Sequence, residues 1–163
     1  MAGSHKLLSK NDRALVAWII AQGAGTANNT FPAKSSLNKP LPCVIVWSES
    51  GKETPLYSGT YLVDVCVMVK TAASVDTNQD PSQPPIDSDN LVGAVFDCLH
   101  TDLGDSAEQL AQEITNAAHA AGVDGYTCQN IILIGPEAAF AEHGAAWVDS
   151  FKLQMLVCPS NQA

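Results

Sequence analysis

The chain has 163 residues, 46% of them hydrophobic and only 15% charged, and its 17 acids against 8 bases leave a formal net charge of −9. One domain of that size buries roughly two-thirds of the surface its unfolded chain exposes, so no disulfide or metal staple is needed. The acidic balance repels nucleic-acid phosphates and excludes direct DNA binding over a broad surface. With so few charges, the surface must be completed by Ser, Thr, Asn and Gln, or by apolar patches that other subunits cover.

Residues 1–8 read as a loose arm. Ser9 followed by Asp12 resembles a helix N-terminus, and Leu15, Val16, Trp18, Ile19 and Ile20 then predict a short apolar helix over Asp12 to Gln22, stopped at Gly23 to Gly25. Its longest unbroken apolar run, Ala14 to Ala21, is far shorter than the ~20 residues of a membrane span. No secretory-leader pattern flanks that run, so a soluble cytosolic protein is expected. Residues 26–42, with Asn28-Asn29, Pro32, Ser35-Ser36 and Pro40, have turn composition and predict an irregular surface excursion.

Cys43 to Glu49 predicts a short strand, and Glu49-Ser50-Gly51-Lys52-Glu53 a polar turn that joins it as a hairpin to the long strand Thr60 to Lys70. In that second strand Tyr61, Val63, Val65, Val67 and Val69 alternate with a less apolar set containing Asp64 and Lys70, the period-two pattern of a sheet packed on one side. Residues 74–88 contain three prolines among amides and acids and predict a long exposed loop.

Asp87 and Ser88 offer a cap for a helix in which Leu91, Val92, Val95, Phe96, Leu99 and Leu103 recur at helical steps. Asp105 and Glu108 make a capping-box-like start to a second helix carrying Leu110, Ile114, Ala117, Ala118 and Ala121 and ending at Gly122. Strands follow at Tyr126 to Ile134 and Ala146 to Cys158, joined by the polar, alanine-rich stretch Glu137 to Gly144. The order helix, strand, strand, helix, helix, strand, strand predicts an α+β fold. Its economical form is a mostly antiparallel sheet of four strands, or slightly more, with helices on one face in a single domain over residues 1–163.

The sequence points to no catalytic residue, cofactor or metal. Gly104-Asp105-Ser106 has the letters of an esterase nucleophile signature, but here it follows a helix, and capping explains its acids. Cys98, His100 and Asp102 lie close in sequence, yet residues two apart on a helix point in different directions. His100 and His119 sit near helix C-termini, where a cation complements the dipole, and His143 falls in a polar stretch. The five cysteines, Cys43, Cys66, Cys98, Cys128 and Cys158, have no C-x-x-C spacing and read as small buried hydrophobes kept reduced. The candidate functional surface is an assembly interface. Asp64 and Lys70 on the long strand, with Asp149 and Lys152 on the last, read equally as a solvated sheet face or as an intersubunit charge pattern, which would set register or partner choice. Asp76, Asn78 and Asp80 in the Pro-rich loop are candidates for a contact that orders on docking.

The helix Asp12 to Gln22, the run Leu56-Tyr57-Ser58-Gly59-Thr60-Tyr61-Leu62-Val63-Asp64-Val65-Cys66-Val67, the helix Asn90 to His100 and the closing strand Ala146 to Gln154 together resemble the tail terminator (tail completion) proteins of long-tailed bacteriophages. The resemblance spans most of the chain and rests on a pattern more than on invariant residues. It implies a homo-oligomeric ring, typically a hexamer, that docks on the last ring of the tail tube protein, stops tube polymerisation and presents a surface to the head-tail connector proteins. DNA then passes through an acidic lumen without specific binding, no membrane is involved, and the ring belongs to the tail or neck of the virion after assembly in the host cytoplasm. The competing readings are another neck, head-completion or tail-tube component, and, more distantly, a small cytosolic hydrolase using Ser106 or a Cys/His pair.

Overall fold

The computed structural model describes residues 6–32, 41–55, 58–72, 86–100, 107–138, 140–142 and 146–160. Within them the chain runs α1 (Leu7–Ala21), β1 (Thr30–Phe31), β2 (Cys43–Glu53), β3 (Tyr61–Ala72), α2 (Ile86–Leu99), α3 (Ala107–Ala120), β4 (Thr127–Pro136), β5 (Phe140–Glu142) and β6 (Ala146–Cys158). The sheet order is β1-β2-β3-β6-β4, and β5 pairs with β6 alongside β4. Among the described strands only the β1–β2 pair is parallel. The fold is α+β, a mostly antiparallel sheet with three helices packed against it.

The alternation in β3 decides which face is covered. Val63, Val65, Val67 and Val69 are fully buried, and at ~1.5–3 kcal/mol per buried aliphatic side chain this set outweighs any preference of the residues between them. The registers Val67↔Phe151, Val65↔Leu153 and Val63↔Met155 carry the same face onto β6. Against it lie Leu15 and Ile19 of α1, Val95 and Leu99 of α2, and Leu110 and Ile114 of α3.

Several boundaries differ from the sequence expectation. α1 starts at Leu7, so residues 7 and 8 belong to the helix rather than to an arm, and Leu7 is only 2% exposed in the core. Ser9 and Asp12 therefore lie inside the helix instead of capping it. The turn expected at 49–53 is strand: a bulge between Ser48 and Ser50 takes up Glu49, and pairing continues through Ser50↔Asp64 to Glu53↔Tyr61. Polar composition misled there because that end of β2 is solvent-exposed. α2 begins at Ile86, which puts Asp87 and Ser88 in its first turn rather than before it. β1 and β5, of two and three residues, are too short to leave a periodic signal and were not expected. Residues 1–5, 33–40, 73–85, 101–106 and 143–145 lie outside the described residues, and with them residues 33–40 of the 26–42 excursion, most of the Pro-rich loop, Asp102, Asp105, Ser106 and His143.

The C-terminal ends of α1 and α3 follow the expected glycine logic. Gly23 (φ 74°) and Gly122 (φ 83°) take the left-handed conformation. Ala24 N–H then reaches Ile19 O and Gly23 N–H reaches Ile20 O, and Val123 N–H reaches Ala118 O and Gly122 N–H His119 O. Both are Schellman closures that satisfy carbonyls otherwise orphaned at a helix end.

A polar cluster threads the core where α1 crosses β2. Asn11, fully buried, donates from Nδ2 to Ser48 Oγ at 3.0 Å and accepts from Tyr126 Oη at 2.7 Å. Asp12 Oδ1 accepts the Ser48 backbone N–H at 2.6 Å, at the bulge where ladder pairing is interrupted. Thr115 of α3 spans the start of β4, accepting Cys128 N–H at 2.9 Å and donating to Ala111 O at 2.9 Å. Buried polar groups persist only when bonded, so these contacts fix how α1, α3 and the sheet meet.

Candidate assembly interface

The three helices seal one face of the sheet, and the other carries the exposed charge. Antiparallel partners share a face, so Asp64 of β3 stands beside Ser50 of β2 and Gln154 of β6. Its Oδ2 accepts from Ser50 Oγ at 3.3 Å and its Oδ1 from Gln154 Nε2 at 3.1 Å. One row along, Lys152 lies opposite Cys66, which lies opposite Trp47. The Lys152 ammonium is bridged on one side by Glu49, the bulge residue, and on the other by Glu137 at 3.6 Å.

The bulge keeps Ser50 beside Asp64: in strict alternation Glu49 would take that place and Ser50 would fall on the helix-bearing side. Glu49, left out of the ladder, reaches across β3 to Lys152 of β6 on the open face. Burial pulls the Lys152 ammonium down, but the bond to Glu49 and the carboxylates beside it outweigh that, and its pKa lies above the ordinary lysine value. Burial pushes the Cys66 thiol up, only partly offset by Lys152. Exposed ion pairs of this kind stabilise by about 0–1 kcal/mol each, so the cluster contributes little to holding the fold.

The sequence-derived interface residues divide in the structure. Asp64 and Lys152 are brought together on the open face. Lys70 is on the same side of β3 but only 8% exposed, in a row with the fully buried Cys43 and with Val148. Asp149 pairs with the core residue Val69, so it lies on the helix-bearing side, opposite to Lys152. Asp76, Asn78 and Asp80 lie outside the described residues. Sequence reading missed Glu49, Glu137 and the exposed pair Ile132 (54%) and Ile134 (58%) on β4. A signal for that pair was present: Ile131, Ile132, Leu133 and Ile134 are apolar at both parities, and only one parity of an edge strand can face the core.

The chemistry of the remaining nucleophile candidates runs against use. Cys98 donates its thiol to Val95 O at 3.1 Å, and burial pushes its pKa up to about 12. His100 stacks on Phe96 at 5.6 Å instead of meeting Cys98. Cys128, also pushed up to about 12 by burial, is bonded to Asn130 O. His119 donates from Nε2 to Tyr126 O at 2.7 Å. Among the described residues no three His, Cys, Asp or Glu side chains are grouped to hold a metal ion, and no helix is long and apolar enough to cross a membrane. Neither a scan against protein-family models nor a search of the curated proteins finds a match for this sequence.

Proposed function

We propose that this chain is a structural virion subunit, a tail terminator that forms a ring on the end of a phage tail tube, stops its growth and presents the head-joining surface. The observation that carries the reading is the inequality of the two sheet faces, one sealed by helices and the other displaying the ordered cluster Glu137–Lys152–Glu49 and Asp64. Where one such face docks on a different face of the next copy the contact is head to tail, and such contacts make a closed ring when the rotation closes. The element order, hairpin, two helices, hairpin, behind an N-terminal helix, agrees with the pattern of the terminator proteins. The raised thiol pKa values and the separation of Cys98 from His100 speak against a thiol hydrolase.

Electron cryomicroscopy of the protein alone and mixed with tail tubes from the same phage tests this. Rings at one end of otherwise bare tubes are expected, and Asp64→Arg, at an exposed position, should leave the fold intact and reduce end occupancy. Long self-stacked tubes would make the chain a tube component. Bare tube ends beside monomers would refute a terminator role.

A further inference from the structure

β4 ends the sheet, and among the described residues no strand pairs with its outer edge. Ile131 donates its backbone N–H to the Asn130 side chain at 2.9 Å rather than to β6. Antiparallel pairs alternate between exchanging both hydrogen bonds and exchanging none. Ile131 and Leu133 therefore turn their N–H and C=O groups away from β6, while the Ile132↔Gln154 pair faces inward. Nearer the start of β4 the backbone is already occupied, because Thr115 bonds both the N–H and the C=O of Cys128.

Beside this edge lies a cleft of about 260 Å³ lined by Ile131, Ile132 and Leu133, by Leu99 and His100 at the end of α2, and by Ala107 at the start of α3. A terminal strand edge with an apolar cleft on one side and the exposed Ile132 and Ile134 on the other has the hydrogen-bonding and shape complement of one more strand. The elements that bound it carry exposed acids: Asp97 in the last turn of α2, Glu108 next to Ala107 in the first turn of α3, and Glu137, which also meets Lys152, just beyond β4. With a net charge of −9 on every copy, a second copy of this chain is electrostatically the wrong guest at this edge.

We infer that the β4 edge at Ile131–Leu133 is a strand-addition site for an extended, basic segment of another polypeptide. The segment pairs with the Ile131 C=O and with the N–H and C=O of Leu133, the Ile131 N–H being held by Asn130. Its alternate side chains enter the Leu99–Ala107 cleft or lie against Ile132 and Ile134, and its lysines or arginines meet Asp97, Glu108 and Glu137. The inference does not depend on the ring reading, because its test uses the isolated chain.

The probe is a blocked synthetic peptide of sequence Lys-Val-Thr-Val-Thr-Val-Lys, titrated into the full-length protein and followed by amide hydrogen exchange and NMR shifts. Leu133 N–H exchange is expected to slow about tenfold at saturation, with the largest shifts confined to residues 131–134 and the cleft. A peptide with proline at its centre should not bind, because it cannot donate to the edge. Replacing both lysines with glutamate should weaken binding at least ~5-fold at low salt. The double substitution Ile132→Thr and Ile134→Thr, at exposed positions that leave folding unchanged, should weaken it by a similar factor. Unchanged Leu133 exchange at millimolar peptide, equal binding of the proline-interrupted peptide, or a peptide-free dimer that protects the same amide would each overturn the assignment.

Discussion

Asn11 shows how much a single residue organises. It sits on the buried stripe Leu7, Asn11, Ala14, Leu15, Trp18 and Ile19, where an apolar side chain would be the simpler choice, and uses both ends of its amide to join Ser48 to Tyr126. Tyr126→Phe keeps the ring and removes the donor, leaving Asn11 Oδ1 buried and short of a partner. A loss of about 1–3 kcal/mol in urea unfolding is expected, with the fold retained. Its neighbour Asp12 has a pKa above the ordinary carboxylate value, because burial outweighs its bonds to Ser48. A carboxylate whose folded pKa is raised contributes stability that is complete below its unfolded pKa and is lost as pH rises through the folded one. Stability should therefore fall between the ordinary carboxylate pKa and the raised one. Asp12→Asn, which keeps an acceptor for Ser48 N–H, should flatten that part of a stability-versus-pH curve. An unchanged slope in the variant would assign the pH dependence to other carboxylates.

Among elements, the strands were the most legible. Val63 to Val69 and Phe151 to Val157 alternate cleanly because one face meets helices, and both strands appear where the pattern puts them. The polar residues at its far end make β2 look short in sequence, whereas a strand end in solvent keeps its ladder whatever its side chains are. The start of α1 was misplaced for a related reason: Ser9 and Asp12 resemble a cap, but Asp12 spends its carboxylate on β2, a contact 36 residues away. Helix α2 is tied to α1 through its own end, since Trp18 Nε1 donates to Cys98 O at 2.8 Å and so satisfies one of the last carbonyls of that helix. Trp18→Phe should cost about 1 kcal/mol for the bond, plus a share for lost ring volume. Amide exchange should then accelerate in the final turn of α2 before the sheet is affected. Uniform acceleration across all elements would mean that α2 has no separate opening.

For the molecule as a whole, charge is the term that competes with assembly. Copies carrying −9 each repel one another at low ionic strength, and salt near 0.5 M shortens the screening length to about 4 Å. Self-association followed by sedimentation velocity is therefore expected to strengthen as salt rises. Weakening with salt would indicate that ion pairs between copies, through Lys152, Glu49 or Asp64, dominate over net repulsion. The charged part of the candidate surface was half legible: Asp64 and Lys152 stand out on their strands, but Glu49 and Glu137 join them only through strand pairing that brings distant segments together.

Sequence alone determined the α+β class, the covered face of β3 and β6, and the stops of α1 and α3 at glycine, because each follows from a local period or a local backbone preference. Only the tertiary structure decided that Asp149 and Lys152 part company across the sheet, that Asn11 and Asp12 serve β2 rather than their own helix, and that β4 ends the sheet. Those depend on strand register and on which strand ends the sheet, and register is settled by contacts between segments many residues apart, for which a local pattern carries no coordinate.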